Sequence, residues 1–310
     1  MKTNAMKLGV PDLVTNSYFP ALAAVELGFF AAQGLDVEIE LIYPQTVDAL
    51  RDGKVDFAAD CAHVTLEAFP GWRGAKVLMA LSQGMYWLLI LRSDLNVDRG
   101  DLQALKGLRI GAGTGVDLAL HQLLRSAGVD PVLNNIQIGP VPGGDAPGAS
   151  FGVTAAKALE AGTIDGFWAN GMGAETAIRR GVGSIVLDVR RDNQPPGARA
   201  YTFSALMTSD RLIKDNRAAV ESAMRAVRST QIALRNEPAL AAKVGEQLFP
   251  RQQADMIEDV VRRDIEFYEP SISPADVEAM NGFSAAIGLL DEPAAFEQVV
   301  ATEFTSIWSE

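Results

Sequence analysis

The chain has 310 residues, and two lobes are expected because a single hydrophobic core usually stops growing at ~250 to 300 residues. Apolar residues make up 48% of it and charged residues 21%, which is typical of a globular protein and argues against disorder. The net charge of -12, with no basic stripe to outweigh it, argues against nucleic acid as a partner, and no apolar stretch is long enough to span a membrane.

The first part of the chain alternates predicted strands and helices. The run MKLGV at residues 6–10 predicts a buried strand, and residues 18–34 predict a helix with one apolar face. Residues 36–42 alternate apolar and acidic side chains, as in a half-exposed strand. A short helix, a strand ending near Asp60 and a further helix follow. This order predicts a parallel sheet covered by helices.

The middle of the chain predicts a second unit of the same kind. Residues 76–94 are rich in β-formers and are interrupted by Gly84, so we interpret them as a strand that leaves the first lobe and enters a second. Residues 101–190 repeat the alternation of strand and helix. The Pro/Gly segment 190–200 then precedes YTFSALMTS, which predicts a strand that returns to the first lobe.

These two crossings define the expected domains. Lobe I comprises residues 1–92 and 201–310, and lobe II comprises residues 93–200. From residue 211 onward the apolar residues recur at helical spacing, so several amphipathic helices complete lobe I. Two crossings between lobes predict a hinge, and we expect the lobes to close on a ligand.

The stretch LRIGAGTGVD at residues 108–117 is rich in glycine but does not carry a phosphate-binding motif. Val116 stands where a dinucleotide motif needs its third glycine, and the Lys-Ser/Thr pair of a P-loop is missing. Thr114 and Gly115 still precede a helix whose first N–H groups could meet a ligand oxygen or carboxylate. The alternative is that Thr114 or Asp117 only caps this helix.

Similar turns from strand to helix occur at LVTNSYF, at ADCAHVT and at WANGMGAE. All four turns would lie at the carboxyl ends of parallel strands, where open α/β sheets bind ligands. Together they predict a ligand clamp formed by two lobes.

Four blocks carry a family resemblance in their order: AAVELGFFAAQGLDVEIE, ALRDGKVDFAA, DLQALKGLRIGAGTG and ALEAGTIDGFWA. They resemble the solute-binding proteins of ABC importers, and most closely the NMT1/THI5-like branch, which includes binders of alkanesulfonates, taurine and pyrimidine precursors. The resemblance covers roughly residues 6–235. It implies an α/β, two-lobed type 2 periplasmic-binding fold with a hinged interdomain cleft, a small-molecule ligand, an ABC permease as partner, a monomer and no cofactor.

Candidate ligand contacts in lobe I follow the first and third strands. Asn16, Ser17 and Tyr18 match the first ligand loop of the family, with a helix cap as the alternative. Cys61 and His63 follow the third strand. The alternative for Cys61 is a small buried apolar residue, and for His63 a polar residue at a helix start.

A second set of candidates lies near the first crossing and in lobe II. Ser82, Gln83, Tyr86 and Trp87 could stack on or bond to a flat ligand, although core packing competes for the aromatic rings. Asn170 ends the strand IDGFWAN as a polar residue facing a cleft would.

Three other residues receive weaker interpretations. Trp168 could belong to the core, and His121 lies within a predicted helix, which makes it a poor ligand candidate. Few basic residues fall at the predicted turns, with Arg199 as the main exception.

A sulfonate or carboxylate could bind helix N-termini and one arginine, whereas a neutral or aromatic solute would use Tyr18, Tyr86 and Trp87. Between these alternatives the sequence leans toward a small, flat and aromatic carboxylate.

The composition limits other chemistry. One cysteine cannot form an internal disulfide, and one cysteine with two histidines cannot build a closed zinc site, so no structural metal is expected. The chain starts without a signal-peptide pattern, which predicts either a periplasmic protein whose leader was removed or a cytoplasmic protein.

An enzyme is the alternative function. The family resemblance extends to an aromatic desulfinase and to pyrimidine-precursor synthases, and Cys61 with His63 would be the nucleophile and base. The cysteine of that desulfinase lies nearer the chain start than Cys61, so its role does not transfer residue by residue.

Overall fold

The computed structural model describes residues 5–42, 46–113, 115–144 and 150–310. These residues form two five-stranded sheets. The strands are β1 Met6–Val10, β2 Val37–Leu41, β3 Phe57–Cys61, β4 Ala75–Ser82, β5 Leu88–Arg92, β6 Arg109–Ala112, β7 Gln137–Gly139, β8 Gly166–Ala169, β9 Gly183–Asp188 and β10 Ser204–Ser209.

Helices alternate with these strands and then complete the chain. They are α1 Phe19–Glu26, α2 Phe29–Ala32, α3 Thr46–Arg51, α4 Thr65–Ala68, α5 Asp117–Ser126, α6 Phe151–Glu160, α7 Gly171–Arg179, α8 Val189–Asp192, α9 Asp210–Asp215, α10 Arg217–Asn236, α11 Leu240–Leu248, α12 Arg251–Asp264, α13 Pro274–Ala286 and α14 Phe296–Val299. In the part of the chain that the structure describes, no helix is both long and apolar enough to cross a membrane.

The chain divides into two compact units. Unit 1 comprises Met1–Gly84 and Tyr201–Glu310, and unit 2 comprises Met85–Ala200. The return at residue 200 lies where the sequence places it. The first crossing comes earlier than the expected boundary at residue 92, because β5 pairs with β8 and β9 of the second sheet.

The sheet of unit 1 has the order β2-β1-β3-β10-β4. Strands β1, β2 and β3 are parallel, whereas β10 runs antiparallel to both β3 and β4. Both faces are buried, since Phe57 and Ala59 of β3 join one apolar cluster and Ala58 joins another. A sheet covered on both faces explains why its inner strands read as continuous apolar runs.

The sheet of unit 2 has the order β7-β6-β8-β5-β9. Strand β6 is parallel to β7 and β8, while β5 is antiparallel to β8 and β9. The expectation of two parallel sheets is therefore wrong for one inserted strand in each unit. The β-rich stretch at 76–94 is two strands separated by Gly84, whose φ of 71° is in the left-handed region.

The predicted helix at residues 18–34 is also divided. Helix α1 ends at Glu26, and α2 begins at Phe29. Gly28 between them has a φ of 78°, which a right-handed helix cannot contain. Because of this break, the loop between β1 and α1 is followed by only a short helix.

Candidate functional site

The four predicted turns lie at the carboxyl ends of parallel strands, two in unit 1 and two in unit 2. In unit 1 these are the segments that follow β1 and β3, and in unit 2 they follow β6 and β8. Neighbouring parallel strands bring their carboxyl ends to the same edge of a sheet. Each unit therefore presents a pair of adjacent turns, as the sequence predicts.

The loop after β1 is held by its own side chains and is buried. Asp12 accepts a hydrogen bond at 2.8 Å from both the backbone N–H and the hydroxyl of Thr15. The next three residues, Asn16, Ser17 and Tyr18, are at most 1% exposed. The N-cap residue of α1 is Tyr18, which makes no side-chain capping hydrogen bond, and neither Asn16 Oδ1 nor Ser17 Oγ accepts a hydrogen bond from a described residue. The helix-cap alternative therefore does not explain why these residues are buried.

Contacts with distant residues fix Asn16 and Ser17. The Asn16 Nδ2 group donates to Asp264 Oδ2 at 2.6 Å, and Tyr268 Oη donates to the Asn16 carbonyl at 2.5 Å. Ser204 Oγ donates to the Ser17 carbonyl at 2.6 Å. Two buried oxygens, Asn16 Oδ1 and Ser17 Oγ, have no hydrogen-bond partner among the described residues.

Strand β3 ends in an acidic environment. Asp60 accepts a hydrogen bond from the backbone N–H of Cys61 at 2.7 Å. Burial, with a smaller contribution from the charges of Asp12 and Glu67, raises the pKa of the Asp60 carboxyl to about 7, although the hydrogen bond from the Cys61 N–H opposes the shift. Negative charge is therefore disfavoured at this end of the sheet.

His63 lies on the turn that follows β3. Its Nδ1 is 2.9 Å from Thr202 Oγ1, and its ring packs edge-to-face on Phe283 with the ring centroids 5.2 Å apart. Tyr201 stacks on the same Phe283 ring at 5.0 Å. Burial lowers the pKa of His63 to about 4, so its imidazole is neutral at pH 7. Cys61 is buried on the same strand end.

Ser82 and Gln83 have different environments at the end of β4. Ser82 is fully buried and lies opposite Ser204 in the sheet. Gln83 donates from Nε2 to the carbonyl of Ser271 at 2.5 Å. The Gln83 amide nitrogen therefore anchors the segment between α12 and α13.

Unit 2 contains a stack of three aromatic rings. Tyr86 and Trp87 have centroids 5.3 Å apart, and Trp87 and Trp168 have centroids 6.0 Å apart, with interplanar angles of 20° and 15°. The guanidinium of Arg190 lies 6.0 Å from the centroid of Tyr86. Trp168 is fully buried, so core packing accounts for it, whereas Trp87 is 9% exposed.

Some backbone N–H groups at the starts of α5 and α7 already donate hydrogen bonds to nearby side chains. Gly115 is exposed and donates its N–H to Asp117 Oδ1 at 3.0 Å. Asn170 caps α7, because its Oδ1 accepts from the Met172 N–H at 3.1 Å. Thr114, the other predicted donor, lies outside the described residues. His121 is half-buried within α5, and Arg199 is exposed.

Sequence reasoning missed several residues that shape these surroundings. They are Asp60, Arg190, Thr202, Asp264 and Tyr268. Only Asp60 had a local signal, since it immediately precedes Cys61 in the predicted turn ADCAHVT. The others join the candidates through contacts between residues far apart in the chain, such as the 248 positions between Asn16 and Asp264.

The NMT1/THI5-like family model matches residues 15–241 of the chain. That range includes the candidate turns of both units. No curated protein sequence matches the chain.

Three solved structures share the fold over nearly their whole lengths. The ligand-binding component of an ABC-type import system from Staphylococcus aureus, with zinc bound, is 14% identical with a TM-score of 0.72 and 99% of each chain covered. The periplasmic sulfonate-binding protein SsuA of a sulfonate ABC transporter from Methylobacillus flagellatus KT is 15% identical with a TM-score of 0.68, covering 98% of this chain and 93% of that one. The desulfurization enzyme DSZB is 18% identical with a TM-score of 0.68, covering 98% and 99%.

These TM-scores, over nearly the whole of each chain, establish a common fold, which is that of the periplasmic binding proteins. Among the residues that the structure describes in this chain, no three His, Cys, Asp or Glu side chains are grouped so that they could hold a metal ion.

Proposed function

Because the chain belongs to the NMT1/THI5-like family, we propose that it is a solute-binding protein that captures a small organic ligand for an ABC-type importer. The observation that carries this proposal is the family match over residues 15–241. The fold shared with an import component and a periplasmic sulfonate-binding protein supports it. Location in the periplasm, a permease partner and a monomeric state are parts of the same proposal.

The ligand would contact the side chains at the carboxyl ends of the parallel strands. In unit 1, the orphan oxygens of Asn16 and Ser17 and the neutral ring of His63 are the strongest candidates, since all three residues are buried and polar. In unit 2, Trp87, which stacks between Tyr86 and Trp168 and is 9% exposed, is the aromatic candidate and would present the edge of its ring. The remaining proposed contacts are Tyr18, Cys61, Ser82, Gln83, Thr114, Gly115 and Asn170.

Native mass spectrometry tests the proposal directly. Protein purified without refolding should carry a retained small molecule in a one-to-one ratio, which is released on denaturation. The double variant Asn16→Leu/Ser17→Ala should retain less of it. Retention that is unchanged in this variant would place the molecule elsewhere on the protein, and protein that takes up no solute at all would reject a binding function.

A desulfurization-type enzyme is a second candidate, and the likeness to DSZB favours it. Cys61 is buried near the end of β3, two positions before His63. For a thiol enzyme the imidazole would have to accept the thiol proton, whereas Nδ1 of His63 lies 2.9 Å from the Thr202 hydroxyl.

Cys61→Ser separates the two functions. A binding protein should keep its retained solute and change its affinity only modestly, while a thiol enzyme should lose turnover almost completely. Consumption of a bound solute by the wild type, abolished in Cys61→Ser, would establish the enzyme instead.

A further inference from the structure

Two adjacent buried oxygens in unit 1 require hydrogen-bond partners. Asn16 is 1% exposed and Ser17 is 0% exposed, and Asn16 Oδ1 and Ser17 Oγ have no partner among the described residues. A buried polar atom without a partner is destabilising, so proteins pair such atoms with their own groups, with water or with a ligand. Both atoms follow the carboxyl end of β1, where the proposed function expects the solute.

The chemistry of Asp264 determines which atom of the Asn16 amide is left over. Asp264 pairs with the Arg263 guanidinium at 3.1 Å and accepts from the Asn16 amide at 2.6 Å. A carboxylate accepts hydrogen bonds, so the amide nitrogen must face it and the amide oxygen must point elsewhere. The leftover group of Asn16 is therefore an acceptor, and it needs a hydrogen-bond donor.

The surroundings oppose an anion. Residues 11–18 and 61–68 include Asp12 and Glu67 but no lysine or arginine, and Asp60 ends the neighbouring strand. Pro20 removes one N–H from the first turn of α1, which weakens that helix start as an anion site. A sulfonate or carboxylate placed here would add negative charge beside acids, and the nearby cation, Arg263, is already paired with the Asp264 carboxylate.

Resting on the proposed solute-binding function, we infer that the solute presents a hydrogen-bond donor, such as an ammonium or amide N–H, to Asn16 Oδ1 and Ser17 Oγ. Unit 1 then selects neutral or cationic solutes over anions. Ser17 Oγ, which both donates and accepts, completes the recognition of such a group. This class departs from the aromatic carboxylate toward which the sequence leans.

Solutes with matched carbon skeletons test the inference. Benzylamine, benzamide, benzyl alcohol, benzoate and benzenesulfonate would be titrated calorimetrically into the full chain freed of retained solute, together with the same five head groups on a propyl chain. We expect the amine, amide or alcohol of a skeleton to bind at least about tenfold more tightly than its carboxylate and sulfonate, the difference expected for a charged group left unpaired.

Ser17→Ala tests the atoms themselves, with Ser284→Ala as a matched control. Ser284 is also 0% exposed with an unpartnered hydroxyl, but it lies on α13. Ser17→Ala should weaken binding of the donor probe by about 5- to 30-fold without lowering the melting temperature, and Ser284→Ala should leave the affinity unchanged.

The possible failures are distinguishable. Tighter binding of the sulfonate or carboxylate, or donor binding that Ser17→Ala does not change, would overturn the inference and leave the solute-binding function standing. If no solute of either series binds, the inference is rejected, and the retained molecule sought by native mass spectrometry decides the solute-binding function.

Discussion

The buried carboxyl of Asp60 should make the stability of the protein depend on pH in an unusual direction. Asp60→Asn removes the ionisable group while its amide oxygen can still accept from the Cys61 N–H, which now donates to Asp60 at 2.7 Å. The substitution therefore isolates the charge with little change in shape.

The magnitude follows from the pKa of Asp60, which burial raises from 3.8 to about 7. Between these values the native carboxyl keeps its proton and the unfolded one loses it, so the unfolded state binds fewer protons and stability falls as pH rises. Above pH 7 the full penalty applies, and the pKa difference corresponds to about 4 kcal/mol. Asp60→Asn should gain this stability relative to wild type at pH 8, and none of it at pH 3.

His63 has the opposite effect over part of the same range. Burial lowers its pKa from 6.5 to about 4, so the unfolded state binds more protons between these values, and the contribution of His63 to stability is lost as pH falls. In wild type the two slopes oppose each other. In Asp60→Asn the rise in stability from pH 4 to 6.5 should therefore be steeper.

Urea denaturation at pH 3.5, 5, 6.5 and 8, followed by circular dichroism, measures the effect as the difference between Asp60→Asn and wild type. This difference removes the contributions of groups that both proteins share. Asp36→Asn is the control, since it deletes a carboxyl from an exposed position. A difference between Asp60→Asn and wild type that stays constant across the range would mean that the Asp60 carboxyl has the same pKa in the native and unfolded states, and its raised native pKa would be refuted.

Three further predictions concern other parts of the structure. A Cβ at Gly173 would lie 2.7 Å from the backbone of α6, so Gly173→Ala should lower the free energy of unfolding by about 1 to 3 kcal/mol. The control Gly282→Ala, where a Cβ would meet no atom within 4 Å, should raise the free energy of unfolding slightly. Equal effects of the two substitutions in urea denaturation would contradict the close crossing of α6 and α7. Hydrogen bonds from Arg109 hold the pKa of Asp165 below its usual range. Asp165→Asn should therefore lower the free energy of unfolding by about 1 to 3 kcal/mol at pH 7, and by progressively less as pH falls through that lowered pKa. A loss of stability that does not depend on pH would contradict the pairing of Arg109 with Asp165. Trp87→Leu should weaken binding of a phenyl solute more than binding of its propyl counterpart, and an equal loss in calorimetry would show that the Trp87 ring does not contact the ligand.

The sequence by itself determined the order of strands and turns, except that residues 76–94, interpreted as one strand, form both β4 and β5. MKLGV forms β1 at the predicted residues, because a short apolar run bounded by polar turn residues has few alternatives to a buried strand. The return to unit 1 after residue 200 was also predicted, since the Pro/Gly segment interrupts the regular pattern before β10. The family resemblance, confirmed by the match over residues 15–241, rested on these same local patterns.

Tertiary structure alone decided the directions of the two inserted strands and the bonding state of each candidate side chain. Strands β5 and β10 are antiparallel to their neighbours, although their apolar runs look like those of the parallel strands. The Asn16 amide nitrogen donates to Asp264, and the Gln83 amide nitrogen donates to the carbonyl of Ser271. Local composition specifies which residues are apolar and where the chain turns, but a hydrogen bond between distant residues depends on the position of both partners. Only the folded chain shows which polar atoms its own groups have satisfied and which, like those of Asn16 and Ser17, still need a partner.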